Sequence, residues 1–416
     1  MYLVNGHHYK LEDRGFAEAL AGAHAAHERP RCLCRGTGVA MYVARFGDDY
    51  GIKRMPYTGS QHAPDCPSYE PPIELSGAGG VLGSAVVEDP NSGLTTLRLA
   101  FALSRGGARA AGRADTAEVS SVATGEYGLG LRGLLHYLWD RAELTHWRPA
   151  FAGKRSWAVV RARLLSVAAR SLARGEVLAG KLDLPEVFSV ERRDEINERR
   201  MRQWGPAPGP PSARRRLMLL LGELKELAPS RYGFKAVIKH LPDHPFMLPE
   251  RLYRKMERRF ERELSLWGSS KASHLVMIAT FDVNDAGVPS IEQLSLMLTS
   301  PQWIPVEDSF DEQLVQRLVN HGRRFIKTLG YNLPSCDRRY TAVLTDCNGQ
   351  PTALRIVVGA KTDGEPAKHD PEYGASAIWS WHVNSETMPD LPAAGTPICG
   401  AAATASGVPH QTAPRE

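Results

Sequence analysis

Cys32, Cys34, His62 and Cys66 are the residues of this chain whose types and spacing point most directly to chemistry. Three thiols and one imidazole make the donor set of a closed, tetrahedral zinc site. With all four positions filled by protein, such a site keeps no place for a catalytic water. Cys32-Leu-Cys34 puts two thiols on the same side of an extended backbone. His62-Ala-Pro-Asp-Cys66 supplies the second pair, and Pro64 disfavours a regular helix through it. The spacing differs from the common C-x₂-C pairs, so the competing reading is buried free cysteines beside an unrelated His and Cys. Zn²⁺ with three thiolates carries about one net negative charge, and Arg31, Arg35, Lys53 and Arg54 lie close enough in sequence to offset it. The favoured reading is a structural zinc ion that staples a small domain.

The elements that must bring these pairs together are two apolar, partly alternating runs, Val39–Phe46 and residues 50–55. Gly47-Asp48-Asp49 joins them, which predicts a hairpin that returns the chain to its starting point. We place them in a β-rich, zinc-ribbon-like module over residues 1–103, with loops at Pro71-Pro72 and 77–83 and a strand over 94–103. Residues 104–125 read as a long loop or linker. A helical, basic segment over 126–204 follows, with amphipathic helices predicted over 129–144 and 154–173. Those helices and the β material after them suggest a winged-helix-like module, with Lys154, Arg155, Arg161 and Arg163 on or near a recognition helix.

Residues 205–211, rich in proline, form the clearest linker. Arg214, Arg215 and Arg216 open a mixed α/β domain over 214–389. Its expected elements include strands at 217–227, 234–241, 274–281, 339–345 and 353–358, and helices at 249–267 and 310–329. The tail over 390–416 is expected to be disordered. The fold class that follows is α+β and multidomain.

Composition narrows the function. The chain has 416 residues, 43% hydrophobic and 23% charged, which suits a soluble globular protein of more than one core. No apolar run reaches the length of a membrane span. The N-terminus lacks the basic-then-apolar order of a secretory leader, and six cysteines without a framework fit a reducing cytoplasm. The net charge of +5 conceals an asymmetry: residues 131–270 hold 28 Lys/Arg against 16 Asp/Glu. A basic centre favours a polyanionic partner, most simply nucleic acid, although much of the charge alternates as it does on solvated helix faces.

Signals for catalysis are weaker. Glu223-Leu-Lys225 lies in a predicted strand and matches the Glu-x-Lys pair of metal-dependent nucleases. Such a site needs a second carboxylate, and Asp183 is a poor stand-in across the proline-rich linker. The helix carrying Glu312 and the two strands after it follow the order of a PD-(D/E)xK nuclease. Yet Ala353-Leu-Arg-Ile-Val-Val lacks the metal-binding residues, so that fold would be degenerate. His240-Leu-Pro-Asp243-His244 reads as a turn rather than a metal site, and Trp303, Trp379 and Trp381 as packing rather than base-stacking residues. No P-loop, Gly-x-Ser-x-Gly elbow or His-Glu-x-x-His is present.

Several stretches carry a resemblance: Arg31-Cys-Leu-Cys34, Lys53-Arg-Met-Pro56, His62-Ala-Pro-Asp-Cys66, Leu131-Arg-Gly-Leu-Leu-His-Tyr-Leu-Trp139, Gly222-Glu-Leu-Lys225 and Pro301-Gln-Trp-Ile-Pro305. Through them, and over nearly the whole chain to about residue 380, the sequence resembles a family of uncharacterised proteins defined only as a domain of unknown function. Its members are carried on plasmids and integrative conjugative elements of proteobacteria. The resemblance implies a mobile-element setting and no reaction. The expectation is a cytoplasmic accessory protein with a zinc site and a nucleic-acid partner. The rivals are a metal-dependent nuclease and a scaffold for other mobile-element proteins.

Overall fold

The computed structural model describes residues 1–46, 49–105, 128–205, 215–231, 233–270, 272–333, 340–348, 350–358, 377–384 and 387–395. Among these residues the chain is a mixed α+β protein with seven α-helices and several sheets.

The amino-terminal sheet has five strands, in the spatial order His7–Tyr9, Tyr2–Val4, Arg31–Cys32, Val39–Phe46 and Asp49–Arg54. Asn5 and Gly6, both at positive φ, turn the first hairpin, as a two-residue Asn-Gly loop should. The expected hairpin forms with Phe46 opposite Asp49, while Gly47 and Asp48 lie outside the described residues. Helix α1 (Phe16–Ala25) covers this sheet with Phe16, Leu20 and Ala23, whose spacing gives one buried stripe.

Helices α2 (Leu131–Arg141) and α3 (Trp157–Ala168) match the two amphipathic predictions. Their neighbouring strands are recruited elsewhere: His146–Trp147 pairs with Phe325–Lys327, and Ser171–Ala173 pairs in parallel with Thr95–Leu97. The arrangement therefore differs from a self-contained winged helix. Helix α4 (Arg193–Trp204) follows, ending on the buried Trp204.

The largest sheet closes on itself. Met218–Ser230 pairs antiparallel with Gly233–Ile238, which pairs antiparallel with Leu241–Leu248. Leu241–Leu248 meets Pro289–Thr299 in parallel at Met247 and Ser290. Pro289–Thr299 pairs antiparallel with His274–Val283, which returns to Met218–Ser230. Numbering these five strands along the chain, the ring runs 1-2-3-5-4-1. Helices α5 (Glu250–Arg259) and α6 (Glu261–Ser269) sit between the third and fourth strands. This is the layout of the five-stranded Greek-key barrel known as the OB-fold.

Apolar residues face both sides of the first and fourth strands, which is why they read as continuous runs rather than alternating ones. Leu220, Leu224, Met277, Ala279 and Phe281 fill the barrel, while Leu219, Leu221, Val276 and Ile278 pack outward with residues of α2 and α3. Trp204 lies against Phe246 and Phe281. The single helix expected over 249–267 is broken at Phe260, which leaves helical geometry at ψ 29°.

Helix α7 (Ser309–Asn320) is capped by the Asp308 side chain, which accepts from the Asp311 amide. It is shorter than the expected 310–329, because Gly322 turns the chain at φ 63° and residues Phe325–Lys327 form a strand. That strand pairs with Ala342–Leu344, which pairs with Thr352–Val357 as the Asn-Gly signal required. Of the tail expected to be disordered, residues 390–395 are described and docked: Arg317 and Trp379 bond Asp390, and the Gly395 amide bonds the Asp346 carbonyl. Residues 396–416 lie outside the described residues, as do most of the 104–125 loop and of the 205–211 linker.

Candidate metal centre

Each ligand is delivered by a distinct local device. Cys32 ends a two-residue strand held on both sides, opposite Tyr2 and Val39. Cys34 follows in the turn that Gly38 completes at φ 70°. His62 comes directly after a 3₁₀ turn at Gly59–Gln61, and Cys66 sits in the next turn, its amide bonded to the Ala63 carbonyl. Gly59 is required where the strap returns, because a Cβ there would come within 2.6 Å of the Glu70 Cβ.

The four donor atoms converge, with one atom from each residue lying within 4.8 Å of every other. Cys32 and Cys66 sulfurs are 3.7 Å apart, and His62 Nδ1 is 3.4 Å from the Cys34 sulfur and 3.8 Å from that of Cys66. A tetrahedral ion with metal–sulfur bonds of ~2.3 Å and a metal–nitrogen bond of ~2.0 Å has edges of about 3.5–3.8 Å. These three separations lie close to those edges. Backbone amides of Ala63 and Ser68 donate to the Cys34 and Cys66 sulfurs at 3.4 Å, the supporting contacts that orient thiolate ligands.

Without a cation this geometry crowds the thiols. Proton sharing with Cys32, reinforced by burial, pushes the Cys66 thiol up to about 12. Cys32 is correspondingly lowered by accepting from Cys66, and burial raises Cys34. A divalent cation would replace those protons and stabilise all three thiolates. His62 is fully buried, and its Nε2 has no hydrogen-bond partner among the described residues. Its Nδ1 is therefore the nitrogen that faces the sulfurs. Of the four basic residues proposed to balance the charge, Arg35 bonds the His62 carbonyl at 3.3 Å. Arg54 instead pairs with Glu70, and Arg31 bonds the Thr37 carbonyl.

The expected phosphate-binding residues are not gathered in this way. Arg155 donates to the carbonyls of Leu144, His146 and Gln302, and burial pulls its guanidinium down to about 10. Arg161 bonds the Leu184 carbonyl, and Arg163 bonds the Ala142 carbonyl and Glu143. Lys154 is exposed. Arg215–Arg216 form a short strand against Ser104–Arg105, and Arg214 lies outside the described residues.

The nuclease residues are likewise separated. Asp183 sits opposite Leu220 on a parallel neighbour of the first barrel strand. Leu220 and Glu223 point to opposite faces of that strand, so the two carboxylates do too. Asp183 accepts from the Trp204 indole at 2.9 Å, whereas Glu223 accepts from Lys239 and His274, and Lys225 is exposed. Asp346 is held by a forked bond from Arg323 and by the Arg324 amide. His274 and Lys239 carried no local signal in the sequence, since the barrel brings them to Glu223 from the fourth strand and from the turn after the second.

Comparison with known proteins agrees with the resemblance that runs through nearly the whole chain. The chain belongs to the family described as "Protein of unknown function (DUF1173)", whose family model matches residues 2–384. No match to a curated protein or to a solved structure was found. No helix among the described residues is long and apolar enough to cross a membrane.

Proposed function

We propose that this protein binds DNA on the face of its Greek-key barrel, and that a structural zinc ion at Cys32, Cys34, His62 and Cys66 staples the amino-terminal module. The observation that carries the DNA reading is the closed 1-2-3-5-4-1 barrel, because barrels of this layout bind oligonucleotides on strands two and three and the loops beside them. That support is an analogy of fold. The outer faces of the first and fourth strands are packed with α2 and α3 residues, whereas the second strand keeps Lys235 partly exposed, with Arg231 exposed in the loop before it and Lys239 exposed in the turn after it. Helix α5 adds Arg251, Arg254, Lys255 and Arg258, exposed at the three- and four-residue spacing of one helical stripe. The mobile-element setting implied by the resemblance would supply DNA as the polyanion.

The zinc reading rests on the tetrahedral edges and the donor set. Thiolates select zinc over magnesium or calcium, and four protein donors close the shell.

Fluorescence anisotropy with a labelled single-stranded oligonucleotide at two salt concentrations tests the DNA reading. Affinity should fall steeply with salt and drop further in the double variant Arg231→Glu/Lys235→Glu. Binding that ignores both salt and these substitutions, or no binding, rejects it. Metal analysis beside a Cys66→Ser control tests the zinc reading.

A further inference from the structure

Glu223, His274 and Lys239 form a polar centre that the packing of the barrel does not need. Glu223 is 5% exposed on the first strand, and both donors converge on one of its oxygens: Lys239 Nζ and His274 Nδ1 each lie 2.8 Å from Oε1. The other oxygen, Oε2, is buried with no hydrogen-bond partner among the described residues. A purely structural ion pair has no reason to leave a buried carboxylate oxygen empty, since a missing hydrogen bond there is costly. Burial pushes the carboxyl up, but the bonds from His274 and Lys239 outweigh it and hold Glu223 below its ordinary value. It is therefore a carboxylate at neutral pH.

The imidazole is held from two directions. Its Nδ1 faces Glu223, and its ring lies flat on the Trp303 indole, 3.9 Å between centroids and 9° from parallel. Trp303 reaches this position at φ 61°, a left-handed backbone that a bulky residue adopts only under constraint. The Trp303 carbonyl is fixed by the Trp139 indole and its amide by the Ser300 carbonyl. A carboxylate on Nδ1 makes that nitrogen the donor, so in the neutral ring Nε2 is the acceptor, and Nε2 makes no hydrogen bond among the described residues. Lys239, with its side chain 47% exposed, stands beside this group and keeps N–H donors for an anion. It also closes the hairpin between the second and third barrel strands, at the end of the face assigned above to DNA.

We infer that Glu223, His274 and Lys239 are an acid–base centre that hydrolyses a phosphodiester lying on that face. This rests on the DNA-binding reading for the identity of its substrate. His274 Nε2 takes a proton from water as the water oxygen bonds to phosphorus. The bond from phosphorus to the leaving oxygen breaks, and that oxygen takes a proton from solvent, giving a phosphomonoester and an alcohol. Lys239 faces the non-bridging oxygens, where negative charge builds, and Glu223 stabilises the imidazolium that forms. Glu223 is thus a positioning residue, while His274 and Lys239 touch the reacting groups.

The full-length protein is incubated without added divalent cations with two probes: a labelled single-stranded DNA oligonucleotide and bis(4-nitrophenyl) phosphate. Binding and cleavage of the DNA are measured separately. The intact chain should cleave it, and His274→Asn should slow cleavage at least ~100-fold with the dissociation constant within about twofold. Glu223→Gln, which preserves shape, should slow cleavage by about tenfold and displace the acid limb of the pH–rate profile, a change that lost packing would not cause. Melting curves confirm that each variant is folded. Bound DNA that stays intact, or equal cleavage by folded His274→Asn, overturns the centre and leaves the binding reading standing. If DNA does not bind at all, the binding reading fails. His274-dependent hydrolysis of the small diester would then retain the centre, and its absence would remove it.

Discussion

The Cys₃His cluster and the Glu223–His274–Lys239 group each gather polar side chains around reactive atoms, yet they are assembled over very different lengths of chain. The first takes its ligands from the two ends of one hairpin and from turns that follow within a few residues. The second takes one residue from each of two strands and one from a hairpin turn, which meet only because the barrel closes. A centre of the first kind depends on local spacing and on the ion. One of the second kind depends on the packing of a whole sheet. The difference sets what each should tolerate.

The largest effect expected is at the amino-terminal centre. The cluster around Tyr2, Val4, Phe16, Leu20, Met41 and Val43 is small, so a bound ion should supply stability on the order of several kcal/mol. Chelation or Cys66→Ser should open residues 1–70 to limited proteolysis while the barrel stays resistant. Equal resistance of both regions would break the contrast. Because zinc must displace thiol protons, its affinity should rise with pH, most visibly through Cys66.

At the barrel, Trp303→Ala should cost about 3–5 kcal/mol in denaturant unfolding, as for other large buried aromatics. It should leave zinc content unchanged. Gly77→Ala probes the close approach of the 77–80 turn to the chain after Phe325–Lys327. A Cβ there would lie 2.3 Å from the Gly330 carbonyl oxygen, so a loss of about 1–3 kcal/mol is expected. The smallest effect is the pH dependence contributed by Glu223. Its folded pKa is depressed, so its contribution is fully present above the ordinary glutamate value of ~4.3 and is lost as pH falls through the lower folded value. Glu223→Gln should therefore flatten the decline in stability below about pH 4 by on the order of 1 kcal/mol.

The same contrast explains what could be read from the residues. Cys32, Cys34, His62 and Cys66 were visible because the hairpin joining them has a local apolar pattern and an obvious turn. The amphipathic spacing of α2, α3 and α7 was equally local. Gly322 and the break at Phe260 shortened two predicted helices, since periodicity alone does not mark where tertiary packing ends a helix. The barrel was not legible: its parallel pairing of Met247 with Ser290 and its closing pairing of Met218 with Phe281 join segments far apart in sequence. Arg155, Arg161 and Arg163 looked like a phosphate-binding face by charge. In the structure their guanidinium groups bond carbonyl oxygens, a role that charge counting cannot distinguish.

X-ray absorption at the zinc edge of the purified chain tests the central claim most directly. The account predicts one zinc shell of about three sulfurs at ~2.3 Å and one nitrogen at ~2.0 Å. A protein that carries no zinc, or a shell made only of oxygen and nitrogen, would contradict it.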